Sequence, residues 1–214
     1  MKIAIDGPAG SGKTTVSKLL AKKLNISYLD TGAIYRSLTL KALKEKVDLA
    51  DKKVLAELAK NLDLNISADK IYLDGEDVSS QIRDPLIDKN ISIVVSFPEV
   101  RKEMVDLQRE IAKHGDFVIE GRDITTVVFP ESEFKFYLDA APDTRAKRRF
   151  KELKEKGIKA DFKEVDEDLN KRDAADKNRQ VSPLRISEDA VCIDTTDLSI
   201  EETVQELLKY ISPS

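Results

Sequence analysis

An apolar triplet, Ile3-Ala4-Ile5, runs through Asp6 into Gly7-Pro8-Ala9-Gly10-Ser11-Gly12-Lys13-Thr14, and a stretch with Val16, Leu19, Leu20 and Leu24 on one helical face follows. A short apolar strand that enters a helix through a glycine-rich turn is the opening unit of an α/β fold, in which parallel strands are covered by helices. The string G-x-x-x-x-G-K-[ST] arises by chance in on the order of one chain of this length in a hundred, and its strand and helix flanks make chance rarer still. Gly7, Gly10 and Gly12 let the backbone curl so that successive N–H groups converge on a polyphosphate, and the positive end of the following helix adds a favourable field. Lys13 is placed to reach the β- and γ-phosphates and the Thr14 hydroxyl to ligate Mg²⁺. Pro8, Ala9, Ser11 and Thr15 belong to the same expected nucleotide-binding stretch. The plain alternative is a Gly-rich turn with a solvated lysine.

The rest of the chain repeats the alternation. Strands are expected at Ser27-Tyr28-Leu29, Phe117-Val118-Ile119, Phe134 to Leu138 and Ala190-Val191-Cys192-Ile193, with helical patterns between them. Ser199 and Glu202 form a capping-box pattern ahead of a helix whose apolar face is Val204, Leu207, Leu208 and Ile211. One segment breaks the rhythm. Between a helix carrying Val54, Leu55, Leu58 and Leu62 and another near Ile91, residues 64–82 read as short β pieces with Asp74-Gly75 as a hairpin turn, a small antiparallel insert on the α/β core.

Charge narrows the function classes. The 36 basic and 40 acidic residues leave a net charge of −4, so there is no basic excess to neutralise a nucleic-acid backbone. One cysteine, Cys192, excludes an internal disulfide framework, and its apolar neighbours predict a buried thiol. The single histidine, His114, lies before Gly115 at an expected helix end, where a capping or surface role fits and Ser-His-Asp catalysis has little to draw on. The apolar run after Lys2 is too short for a signal peptide, and no stretch is long enough to span a bilayer, so a soluble, cytoplasmic protein is expected.

Residues 143–179 are densely charged and read as a solvated helical pair, yet they hold Arg145, Arg148, Arg149, Arg172 and Arg179 in a lysine-rich chain. Arginine's planar, bidentate donors suit phosphates. A guanine-nucleotide hydrolase is disfavoured. Asn170-Lys171-Arg172-Asp173 matches N-K-x-D but follows a charged segment rather than a buried strand, and no glycine has an aspartate three residues before it.

Four segments together resemble the bacterial-type cytidylate kinases, a family of P-loop nucleoside monophosphate kinases. They are Ile5 to Lys13; Leu29-Asp30-Thr31-Gly32-Ala33-Ile34-Tyr35-Arg36; Gly121-Arg122-Asp123 leading to Thr126-Val127-Val128-Phe129-Pro130; and Arg172-Asp173-Ala174-Ala175-Asp176-Lys177-Asn178-Arg179. Gly75-Glu76-Asp77-Val78 matches a typical family string within the insert. One departure stands out: Thr125 lies where the family usually has glycine, and its side chain is expected to restrict the backbone there.

The resemblance implies a P-loop NTPase fold, with a parallel sheet flanked by helices, spanning residues 1–214. It also implies an acceptor-binding insert at about 38–97 and a short helical lid at about 145–170. It implies transfer of the γ-phosphoryl group of ATP to CMP or dCMP, with Mg²⁺, in a protein that is mostly monomeric. Catalytic roles fall on Lys13, Arg36, Arg122 and Arg179, the three arginines holding the acceptor's phosphate. Ser92, Arg101 and Asp123 match positions that read cytosine, Arg172 and Asp176 positions at the acceptor's sugar, and Thr31 a further acceptor contact. Arg148 or Arg149 is expected to clamp ATP phosphates, with Arg148 taken as the contact. The alternatives are ion pairing for the arginines, an i,i+4 pair for Arg172 and Asp176, and a helix-surface serine for Ser92. Asp30 and Glu120 are expected either to order waters around Mg²⁺ or, for Asp30, to cap a helix.

Overall fold

Ile3, Ala4 and Ile5 are fully buried, so the first strand has both faces covered, as a central parallel strand must. The computed structural model describes residues 1–67 and 70–211; residues 68–69, within the stretch expected as short β pieces, and 212–214 lie outside the described residues. In chain order the elements are β1 (Lys2–Asp6), α1 (Lys13–Leu24), β2 (Ser27–Asp30), α2 (Thr31–Lys44), α3 (Lys52–Lys60), β3 (Leu64–Ser67), β4 (Lys70–Leu73) and β5 (Glu76–Asp77). They continue with α4 (Pro85–Val94), α5 (Pro98–Ile111), β6 (Phe117–Gly121), β7 (Phe134–Asp139), α6 (Pro142–Glu155), α7 (Phe162–Asn178), β8 (Val191–Asp194) and α8 (Ile200–Ile211). Among the described residues the strands form a five-stranded sheet in the order β2-β6-β1-β7-β8 and a three-stranded sheet in the order β3-β4-β5.

The backbone separates into two compact units, one made of Met1–Tyr28 and the chain from Asp116 onward, the other of Leu29–Gly115. In the first, β1 runs parallel to β6, from Lys2 opposite Phe117 to Asp6 opposite Gly121, and parallel to β7, from Ile3 opposite Phe134 to Asp6 opposite Tyr137. Its core joins Ile3, Ile5, Val118 and Phe136 of the sheet to Val16 and Leu20 of α1 and to Val204, Leu207 and Ile211 of α8. The amphipathic spacing of both helices is therefore spent on one sheet face. Ser199 and Glu202 make the expected capping box: the Ser199 N–H donates to Glu202 Oε2 at 2.8 Å and the Glu202 N–H to Ser199 Oγ at 3.2 Å. A smaller cluster of Ala146, Val165 and Leu169 holds α6 against α7 and closes on Ala9.

In the second unit α2 packs on α3, α4 and α5, and the buried side chains are Leu38, Leu55, Ile87, Ile91, Val100 and Met104. α2 is buried over most of its surface. Its hydroxyls stay satisfied by bonding back one turn, Ser37 Oγ to Ala33 O at 3.0 Å and Thr39 Oγ1 to Tyr35 O at 2.9 Å. The antiparallel insert appears as expected. Leu73 pairs with Glu76 across Asp74 and Gly75, which both take positive φ (51° and 80°), the combination a type I′ turn requires.

Two expectations are corrected. Cys192 is exposed, not buried: β8 is an edge strand whose side chains alternate, and the buried one is its neighbour Ile193. The helix read through Leu62 ends at Lys60, although Leu62 is buried. His114 lies beyond α5 and is exposed. Among the described residues no helix is long and apolar enough to cross a membrane.

Candidate active site

The loop between β1 and α1 is shaped by close approach. A Cβ at Gly7 would stand 2.0 Å from the Leu138 carbonyl oxygen, and one at Gly10 2.9 Å from that of Arg145, so neither position accepts a side chain. Gly12 caps α1 in the left-handed conformation, and Lys13 opens the helix with Thr14 and Thr15 exposed behind it. Lys13 Nζ donates to Pro8 O at 2.7 Å and lies 3.4 Å from Ser11 Oγ, which folds the side chain over its own loop. Burial lowers its pKa to about 7; Arg122 and Arg172 push the same way, against Glu120 and Asp6.

Past the end of β6 the same unit gathers Arg122, Asp123, Asp176 and Arg179. Arg122 Nε donates to Asp176 Oδ2 at 2.8 Å, and Arg179 lies 3.5 Å from Asp176 Oδ1 and 3.7 Å from Asp123 Oδ1. Arg179 Nε also donates to the Ser182 carbonyl. Burial alone would raise the Asp176 carboxyl, but the guanidinium groups of Arg122, Arg172 and Arg179 outweigh it and hold the pKa below the ordinary value. Burial works against the Arg122 charge, yet Asp176, Glu120 and Asp173 keep its pKa raised. Glu120 accepts the Tyr28 hydroxyl at 2.5 Å. Four of the expected site residues thus share one charged cluster, and Arg122 of that cluster and the neighbouring Arg172 both act on the charge of Lys13.

The Leu29–Gly115 unit holds the remaining acceptor candidates. Arg36, on α2, pairs with Asp88 Oδ1 at 2.7 Å and is nearly buried. Arg101, on α5, is buried with its guanidinium 5.3 Å from the centre of the Tyr35 ring. Thr31 is buried in the first turn of α2, whereas Ser92 is exposed on α4. Asp30 caps α2: Oδ1 accepts the Ala33 N–H at 2.9 Å, and Oδ2 pairs with Arg83 at 2.7 Å.

The arginines of α6 divide. Arg149 pairs with Glu152 at 2.8 Å, the acid partner expected for one of the two, while Arg148 donates to Thr195 Oγ1 at 2.9 Å and to Thr195 O at 2.5 Å. Arg145 is a buried strut rather than part of a solvated face. It donates to Ala9 O and Ala140 O, each at 3.1 Å, and to Asp173 on α7. Asn170-Lys171-Arg172-Asp173 lies inside α7, away from any strand end, which removes the guanine-reading alternative.

One residue and one contact escaped the sequence. Thr195 Oγ1 lies 3.1 Å from Ser11 O and 3.0 Å from Asp139 O, tying the phosphate loop to the end of β7. Its signal was the polar Asp194-Thr195-Thr196 directly after an apolar strand, where α/β sites form. Asp6 and Thr125 are bonded to each other across 119 residues, which no local pattern shows. Thr125 is not among the residues at positive φ, so a side chain sits at this position without left-handed strain.

Thr14 offers an exposed hydroxyl at the helix start, and among the described residues no three His, Cys, Asp or Glu side chains group as a metal cage.

The comparisons with known proteins agree with this geometry. A family described as "Cytidylate kinase" matches residues 3–213. A cytidylate kinase of Caldanaerobacter subterraneus subsp. tengcongensis is 49% identical over 211 residues, covering 99% of this chain and 94% of the relative. One from Clostridioides difficile is 45% identical, covering 98% and 97%. Among solved structures, an uncharacterized protein from Eubacterium ventriosum superposes with a TM-score of 0.53 at 21% identity over 100% of this chain and 99% of its own. Shikimate kinase from Bacteroides thetaiotaomicron gives 0.51 at 14% identity over 99% and 98%. At such identities these two structures speak for the P-loop kinase fold alone. With a full-length family match and relatives near half identity, the chain belongs to the cytidylate kinase family.

Proposed function

We propose that this chain transfers the γ-phosphoryl group of ATP to CMP or dCMP, giving ADP and CDP or dCDP, as a cytoplasmic monomer whose partners are small nucleotides. The observation that carries the proposal is the joining, in a member of this family, of the phosphate loop and the Arg122, Asp123, Asp176 and Arg179 cluster in one unit. An acceptor phosphate oxygen is already ionised near neutral pH, so the reaction needs alignment and charge neutralisation more than a general base. The loop N–H groups and Lys13 take the donor phosphates. Arg36, Arg122 and Arg179 exchange their present carboxylate partners for the acceptor phosphate, which offers equivalent charge-assisted bonds. Mg²⁺, held by Thr14 and the nucleotide, would neutralise charge between the β- and γ-phosphates. Arg148 reaches ATP phosphates when the α6–α7 lid closes, and the in-line displacement proceeds with water excluded.

Asp123 accepts from the exocyclic amino group of cytosine, where uracil offers only a carbonyl, with Ser92 and Arg101 as further base contacts. Arg172, Asp176 and Thr31 hold the remainder of the acceptor. A coupled assay of ADP production with ATP, Mg²⁺ and CMP, dCMP, UMP or AMP tests this. CMP and dCMP are expected to dominate, and Asp123→Asn to shrink the CMP/UMP ratio of kcat/KM by roughly 5- to 150-fold, corresponding to about 1–3 kcal/mol for one good base contact. Turnover confined to UMP or AMP would overturn the acceptor assignment.

A further inference from the structure

Asp6 is the last residue of β1 and the last before the phosphate loop, and it is fully buried. Its ladder partner Gly121 is likewise the last residue of β6, so past this pair both chains leave the sheet and lose its backbone hydrogen bonds. What replaces them is one carboxylate. Asp6 Oδ1 accepts the Ile124 N–H at 3.0 Å, and Oδ2 accepts both the Thr125 N–H at 2.8 Å and the Thr125 hydroxyl at 2.7 Å. Ile124 and Thr125 open a short π turn, Ile124–Val128, closed by the Val128 N–H on Asp123 O and the Phe129 N–H on Ile124 O. That turn follows Arg122 and Asp123 without an intervening residue. The Asp6 carboxylate therefore joins the base of the donor loop to the segment that carries two acceptor candidates.

We infer that Thr125 is a positioning residue for phosphoryl transfer: its buried hydroxyl fixes the Asp6 carboxylate and so sets the phosphate loop in register with Arg122 and Asp123. This rests on the kinase activity proposed above. A carboxylate out of water depends on each donor it keeps, and Thr125 alone supplies two of the three, one from the backbone and one from the side chain. Loss of the hydroxyl leaves each carboxylate oxygen with a single backbone donor and loosens the hold on the side chain. The two sets of phosphate-binding groups then drift relative to each other. Misplacement of about 1 Å in such alignment lowers the rate of transfer by up to roughly a hundredfold, with little effect on how tightly either nucleotide binds.

The test compares Thr125→Val, which keeps the shape without the hydroxyl, with Thr125→Ser, Asp6→Asn and the Thr125→Val/Asp6→Asn double variant. Melting temperatures are measured first, and kcat and KM for ATP and CMP are then taken well below the lowest of them. Thr125→Val is expected to lower kcat about tenfold or more with both KM values within about twofold, and Thr125→Ser to stay within about twofold of the parent, as for an interaction made in the transition state. The double variant is expected to be no slower than Asp6→Asn alone, because the two residues act as one unit. A Thr125→Val protein with lower melting temperature but parental kcat would show a structural role only and overturn the inference. So would equal losses in the Ser and Val variants, a comparison that stands even if Asp6→Asn does not fold. A parent without CMP turnover would overturn the kinase activity itself, and this inference with it, whereas an active parent beside an unimpaired Thr125→Val refutes the positioning role alone.

Discussion

Lys13 shows how a single residue can be tuned by what surrounds it. Buried beside Arg122 and Arg172, its ammonium titrates near 7, far below the ordinary lysine value. A bound polyphosphate supplies the negative charge that the site lacks and returns the pKa upward, so binding above pH 7 takes up a proton. The sign follows. ATP affinity is expected to be flat below about pH 7 and to fall as pH rises through 8 and 9, by at most tenfold per unit. Calorimetry at pH 8 in two buffers of different ionisation enthalpy should report close to one proton taken up per ATP. A proton count near zero would mean that Lys13 is already charged in the free protein.

At the scale of elements, α6 and α7 illustrate what spacing reveals and what it hides. Their existence follows from a charged helical run bounded by Pro142 and capped at Asp161. Their attachment does not. Arg145 and Asp173 are each only 9% exposed, and the guanidinium also holds the Ala9 and Ala140 carbonyls. Breaking such a pair from one side leaves a buried charge, so Arg145→Met should cost about 3–5 kcal/mol in chemical denaturation. Adding Asp173→Leu should recover more than half of that loss, because an apolar pair needs no partner charge. A double variant as unstable as the single one would show that the carbonyl bonds carry the effect.

The same contrast explains how much of the site was legible. The phosphate loop, the Asp74-Gly75 turn and the Ser199–Glu202 box are local patterns, and each appeared where its residues lie. Partners that depend on the tertiary fold were not visible: Asp88 for Arg36, Thr195 for Arg148, Asp6 for Thr125. Cys192 failed for a related reason, since an apolar run does not say whether its strand will sit at a sheet edge.

For the whole molecule, a nucleotide that binds only the folded state adds to stability by mass action. Either nucleotide at a hundred times its dissociation constant adds about 2.7 kcal/mol to the folded state. For a chain of this size that corresponds to a rise in melting temperature of roughly 5–10 °C. Thermal melts with ATP, CMP and both together should show it, and a CMP melt indistinguishable from the free protein would contradict acceptor binding.

The position of β1 between β6 and β7 also bears on biosynthesis. Lys2 pairs with Phe117, and Ile3 with Phe134, so the strand that delivers the phosphate loop is translated long before either neighbour exists. At roughly 5–20 residues per second the interval is on the order of ten seconds. During that time Leu29–Gly115, a contiguous stretch that forms a compact unit of its own, is complete apart from the sheet neighbour of β2 and can fold first. The nascent chain must carry an unpaired strand with the apolar centre Ile3-Ala4-Ile5 until the ribosome has made the second half of the protein, and the nucleotide site is among the last features to form.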